Sequence, residues 1–142
     1  MAIATGCGDS SDGSEPALTK AEYIKQGNAI CKKGVEERIA VSEDVFKEHT
    51  KNGKLELTQA EEEDLVSETT LPPVRKAVEE LAALAPPEGE EDTVNAIVEG
   101  FEEAVEAVEE DPGSVLGSGD SPFAEPTEKA GDYGLQPCVS LS

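Results

Sequence analysis

The chain has 142 residues, enough for one domain with a modest core and too few for two. Its 32 Asp and Glu against 11 Lys and Arg leave a net charge of −21, which repels phosphate backbones and argues against nucleic acid as a partner. Aromatic residues make up 4% and Trp is absent, so the core must be built from Val, Leu, Ile and Ala, and stacking platforms or indole-lined sugar clefts find no material.

Residues 1–17 are rich in Gly, Ser and Asp and read as a signal-peptide remnant running into a disordered linker. Within them Ala4-Thr5-Gly6-Cys7 resembles the lipobox of bacterial lipoproteins, where small residues precede a Cys whose thiol takes a diacylglyceryl group. The resemblance implies lipidation of Cys7 and a membrane partner reached through that anchor, since two acyl chains hold a protein stably where one does not. Only six residues precede Cys7, without Lys, Arg or an apolar run, so export by this route requires a start codon upstream of Met1. The alternative is an ordinary disordered start with an isolated Cys.

The domain is expected over 18–138, with 139–142 as a short tail. Leu18-Thr19-Lys20-Ala21-Glu22-Tyr23 carries a complete helix start: Thr19 as N-cap, Glu22 closing a capping box, Leu18 and Tyr23 as a hydrophobic staple. Ile24, Cys31, Val35, Ile39 and Phe46 then recur at helical spacing, interrupted by Gly27 and Gly34, and predict one buried face on a helix that fades near Asn52-Gly53, where the dipeptide favours a turn. A second capping box at Thr58-Gln59-Ala60-Glu61 opens a helix with Leu65, Val66 and Thr69 inward and four consecutive acids in its first turns. Pro72 and Pro73 delete donors and crowd the preceding turn, predicting a kink or break and a second rod from Pro73 to Leu84 with Val74, Val78 and Leu81 inward.

Glu90 to Glu110 shows the cleanest stripe, Val94, Ile97, Val98, Phe101, Ala104, Val105 and Val108, ended by Asp111-Pro112-Gly113. A last short helix is predicted with Asp120 or Ser121 as cap, Pro122 in its first position and Gly134 just past its end, with Leu135 folding back toward Cys138. No run alternates long enough for a strand, and none is apolar enough to span a bilayer. The fold class is therefore all-α: an antiparallel bundle of about four helices, the second kinked or split at Pro72-Pro73.

Charge is uneven along the chain. Residues 18–57 net +1, while 88–113 hold eleven acids and no base, so the first helix is the expected electrostatic neighbour of the third segment. Cys31 and Cys138 form an even pair without CxxC or Cys/His spacing, which argues against zinc and thiol redox chemistry. In an exported chain they read as a disulfide; in a reducing compartment they would be two free thiols.

The run from Leu18 to Cys31, the Leu84-Ala85-Pro86-Pro87 junction, and Ser121-Pro122-Phe123-Ala124-Glu125 leading to Tyr133-Gly134-Leu135-Gln136-Pro137-Cys138 resemble a group of small exported bacterial proteins. Many of these have lipoprotein-type starts, and no function is assigned to the group. The similarity covers Leu18 to Cys138 and implies a secreted helical domain with one disulfide, and no activity. Pro73 and Pro126 depart from that pattern.

No catalytic motif is present and no cofactor is called for. His49 stands alone beside Lys47 and Lys51 near a helix end, without a serine elbow to serve. Glu61-Glu62-Glu63-Asp64 and Glu88-Gly89-Glu90-Glu91-Asp92 are rich in carboxylates but match no EF-hand loop. The expected function is a non-enzymatic module of the cell envelope, extracytoplasmic and lipid-anchored, that binds an envelope protein or small ligand between its helices. The alternative is a calcium-handling protein or small hydrolase using acids around Phe101 and the loop from Asp111 to Asp120. Adaptation to high salt would explain the charge without a function.

Overall fold

The computed structural model describes residues 16–117 and 119–142. These are mostly helical, and five α-helices pack against one another. Helix α1 (Lys20–His49) starts on the capping box read from sequence: Thr19 accepts from the Glu22 amide, and the Glu22 carboxylate accepts from the Thr19 amide at 2.9 Å. Helix α2 (Gln59–Leu65) opens the same way on Thr58 and Glu61. Helix α3 spans Leu71–Ala82, α4 Glu91–Glu110 and α5 Ala124–Tyr133. Short 3₁₀ turns follow α4 (Pro112–Val115) and α5 (Gln136–Leu141).

The helices alternate in direction. Ion pairs Lys33–Glu80 and Lys76–Glu37 set α1 antiparallel to α3. The starts of α1 and α4 share one end of the bundle, joined by Lys20–Glu90 at 3.1 Å, and Gly100 against Pro126 sets α5 antiparallel to α4. The core lies between α3, α4 and α5, with Leu81, Ile97, Phe101, Val108, Leu135 and Leu141 almost fully enclosed. Helix α1 packs chiefly on α3 and the C-terminal 3₁₀ turns, so the expected pairing of the basic first segment with the acidic third one reduces to the Lys20–Glu90 contact. Packing of apolar stripes outranked the weak attraction between exposed charges.

Several expectations are corrected. On α1 the buried positions are Tyr23, Gly27, Cys31 and Gly34, whereas Ile39 and Phe46 are 48% and 54% exposed. The glycines seat the face: a Cβ on Gly27 would lie 2.7 Å from Leu135, and one on Gly34 2.7 Å from the Ala77 Cβ. Leu135, Cys138 and Leu141 form a row at three-residue spacing, one 3₁₀ turn or about 6 Å each, which matches about four residues of α-helix. They therefore meet Gly27, Cys31 and Gly34 in register. Leu141, assigned to a tail, is part of the core.

Helix α1 ends at His49, and the turn expected at Asn52-Gly53 forms the tip of a small antiparallel hairpin, β1 (Thr50–Lys51) with β2 (Lys54–Leu55), whose two-residue strands the sequence pattern did not show. Asn52 and Gly53 at its tip take φ of 53° and 75°, the left-handed pair that a two-residue turn needs. The interruption expected at Pro72-Pro73 falls just ahead of the prolines. Val66–Thr70 widen into a π-helical turn, in which the Leu71 amide reaches the Val66 carbonyl and the Thr70 hydroxyl donates to the same oxygen. Pro72 and Pro73 bring no amide hydrogen to the carbonyls behind them, so the helix relaxes one turn early and resumes at Leu71, with the prolines in the first turn of α3, where their missing donors cost nothing. Helix α5 begins at Ala124, later than expected. Pro122 stays in the preceding turn, and the Phe123 amide donates to the Ser121 hydroxyl. Gly134 at φ 113° ends α5 as predicted, with the Leu135 amide returning to the Ala130 carbonyl.

Candidate functional site

Helix α1 has 30 residues and α3 has 12, so α1 runs on past the start of its antiparallel neighbour. That overrun carries the second half of the apolar stripe, and nothing in the bundle covers it fully. Ser42, Val45 and Phe46 form one wall of a groove of ≈ 420 Å³. Leu55 and Leu57, brought round by the hairpin, close one end, and Leu65, Val66 and Thr70 of α2 and the π turn form the other wall. Leu116, just past α4, completes the lining. A shallower extension along Arg38, Ile39 and Glu43 shares Ser42 and Phe46 with it.

Among the described residues the exposed large hydrophobics are Ile39, Phe46, Leu55, Leu116 and Val139, and the first four belong to this one surface. Scattered exposed apolar residues are ordinary; a contiguous set around a concavity marks a binding surface. Glu62 is the one charged side chain in the lining of the main groove. Beside it the Glu61 carboxyl is held below its ordinary 4.5, first by the Thr58 backbone and hydroxyl of the capping box and then by the nearby His49 and Lys51.

The opposite end of the bundle carries a second cavity, of ≈ 490 Å³, lined by Lys20, Glu90, Thr93, Ile97, Asp132 and Tyr133. Tyr23 and Tyr133 meet edge to face at 6.1 Å, and Lys20 sits 4.6 Å above the Tyr133 ring while pairing with Glu90. Burial pushes both phenols up to about 12, Tyr133 with help from the facing Glu90 carboxylate.

Of the residues singled out from sequence, Cys31 and Cys138 are joined, their Cα atoms 4.9 Å apart, and both are fully buried. Cys7 lies outside the described residues. His49 is the last residue of α1, half-buried, its Nδ1 3.0 Å from the Val45 carbonyl oxygen, which commits that nitrogen to capping the helix end. Phe101 is completely enclosed and packs on Phe123 at 6.4 Å, so its ring lines no cleft, while the neighbouring Glu99 and Glu103 line a separate cavity of ≈ 410 Å³ with Glu125, Pro126 and Lys129. Glu90 turns to Lys20, while Glu88, Glu91 and Asp92 point to solvent. Among the described residues no three His, Cys, Asp or Glu side chains converge as a metal site requires. Neither acidic run is thus gathered into a calcium cage.

Leu55, Leu57 and Leu116 escaped the reading by periodicity. Leu55-Glu56-Leu57 is an alternation three residues long, too short to register against noise, and Val115-Leu116 is an isolated apolar pair between Gly-Ser sequences. Comparison with family models, with curated proteins and with solved structures returns no match.

Proposed function

We propose that this chain is an exported, lipid-anchored, non-enzymatic binding module of the cell envelope, and that its working surface is the groove between the end of α1, the hairpin and α2. The observation that carries the reading is the gathering of Ile39, Phe46, Leu55 and Leu116 around one groove and its extension, four of the five exposed large hydrophobics among the described residues. Exposing that much apolar area in water is unfavourable by roughly 25 cal/mol per Å², and the cost is recovered only by an occupant.

The direction of the fold suits an anchored module. A chain tethered through Cys7 enters α1 at Thr19, at the end of the bundle where Tyr23 meets Tyr133. Val45 in the groove is 26 residues further along the same helix, about 40 Å at 1.5 Å per residue. An anchor at one pole therefore presents the groove to the side away from the bilayer.

Site-specific photo-crosslinking in intact cells tests this. A photoreactive phenylalanine analogue at position 46 or 55 is expected to give a discrete adduct, and the same probe at Glu102 on the outer face of α4 none. Equal labelling from all three positions would overturn the reading. The anchor is tested separately, by incorporation of a palmitate analogue that is lost in Cys7→Ser.

A further inference from the structure

We infer that the groove receives an amphipathic helix of a partner protein whose polar flanks are basic, an inference that rests on the groove being the working surface. Shape supports a helix. The apolar Ile39, Val45 and Phe46, with Ser42 between them, lie along one face of α1 over about two turns, and the groove and its extension follow that face, the form taken by grooves that accept side chains at i, i+3 or i+4 and i+7.

Charge selects the flanks. Glu62 is half-buried among apolar neighbours, and among the described residues it takes part in none of the ion pairs. An occupant without a cation there would complete the burial of a carboxylate and leave it unpaired, whereas a Lys or Arg would pair with it. The same side of the groove gathers further acids. Glu61, Glu63 and Asp64 follow on α2, and the carboxylates of Glu63 and Asp111 both come within about 3.3 Å of where a Cβ on Gly113 would sit. Of the basic side chains, Lys51 and His49 lie near Glu61, and Arg75 is paired with Glu109.

The field extends beyond the groove. Between Lys76 and Lys129 the chain has sixteen Asp and Glu and no Lys, Arg or His, and this stretch includes all of α4. A basic segment is drawn toward that side before contact is made. The two other candidates for the groove are turned away by the same charge: a second copy carries −21 of its own, and an anionic lipid surface is repelled.

Three labelled, stapled helical peptides with one shared apolar face and a polar face of Lys and Arg, of Gln, or of Glu, titrated onto the oxidised full chain by fluorescence anisotropy, test this. The basic peptide is expected to bind at a single saturable site, about tenfold more weakly at high salt than at low, and at least about tenfold more tightly than the Glu peptide. Phe46→Asp should weaken it by about 30-fold and Glu62→Gln by about fivefold, with circular dichroism unchanged because both positions lie at the surface. Equal binding of all three peptides, lost in Phe46→Asp, would overturn the basic flank and leave the groove reading standing. Binding of the basic peptide undiminished in Phe46→Asp would show the acidic face acting alone and sink both. Failure of every peptide to bind, a Phe46-dependent dimer in sedimentation velocity, or flotation with phosphatidylglycerol vesicles would each overturn the helical occupant.

Discussion

The two halves of α1 are made from the same kind of sequence and do opposite things. From Lys20 to Gly34 the helix is capped by a side chain, joined to the C-terminus through Cys31, and pressed so closely on α3 and the last 3₁₀ turns that a Cβ at Gly27 or Gly34 would meet a neighbouring atom at 2.7 Å. From Ile39 to His49 the apolar stripe continues at the same spacing, but its large residues are about half exposed and face a groove. An amphipathic stripe states that a face wants to be covered; it does not state by what. Where the antiparallel neighbour and the C-terminal turns are present, the stripe becomes core. Where they end, the same pattern becomes a surface that calls for something else.

If this contrast is right, variants in the first half change stability and variants in the second change binding. The largest effect is expected at the disulfide. It closes a loop with a sequence separation of 107, and in the loop-entropy model its removal costs about 4–5 kcal/mol. Urea unfolding of Cys31→Ser, or of the wild type under reductant, reads this as a lowered midpoint. A loss below about 1 kcal/mol would mean that packing alone holds the first half, since a marginally stable domain feels any larger change.

Next comes the glycine pair, which sharpens the contrast by pitting helix propensity against space. Alanine in a helix gains up to about 1 kcal/mol over glycine. At Gly27 the obstructing atom is the methyl end of Leu135, which can swing, so Gly27→Ala should be close to neutral. At Gly34 it is the Cβ of Ala77, fixed to the α3 backbone, so Gly34→Ala should destabilise by about 1–3 kcal/mol by forcing the helices apart. A reversed order in chemical denaturation would show that the close packing of α1 on α3 is not what the glycines serve.

A smaller effect is expected at the caps. Thr19→Ala should cost about 1 kcal/mol, measured by thermal unfolding. The cap also has a pH signature. Glu22 and Glu61 are each held below the ordinary 4.5, chiefly by hydrogen bonds from the Thr19 and Thr58 backbone. A carboxyl depressed in the folded state adds stability above its unfolded value and loses it as pH falls through its folded one. Stability should therefore decline on acidification through and below the usual carboxylate range, and less steeply in Thr19→Ala and Thr58→Ala.

The smallest effect on stability belongs to the second half of the helix. Phe46→Ser should change unfolding by no more than about 0.5 kcal/mol, because more than half of the ring is already in water, while removing the crosslinked adduct from position 55. A large loss of stability would place Phe46 in the core after all and erase the difference between the halves.

Much of this was readable residue by residue. The capping boxes at Thr19 and Thr58, the stripe from Val94 to Val108 and the αL glycine at 134 are local: each depends on hydrogen bonds or on a period within a turn or two of itself, and the structure places them where local rules put them. The π turn before Pro72 was half legible, since the missing donors were evident but not the side on which the helix would yield. The groove was legible least. Phe46 fitted the core pattern perfectly well, and Leu55, Leu57 and Leu116 fitted none.

The reason is that period and propensity are properties of one segment, while exposure is a property of two. The sequence by itself determined that the chain makes amphipathic helices, where they start, and which stripe of each is apolar. Only the tertiary structure decided that α3 begins too late to cover the end of α1, that the C-terminal turns lie along its first half and not its second, and that a hairpin swings two leucines up to the edge of the uncovered part. Those outcomes follow from the relative lengths and registers of neighbours far apart in the chain, which no local pattern encodes.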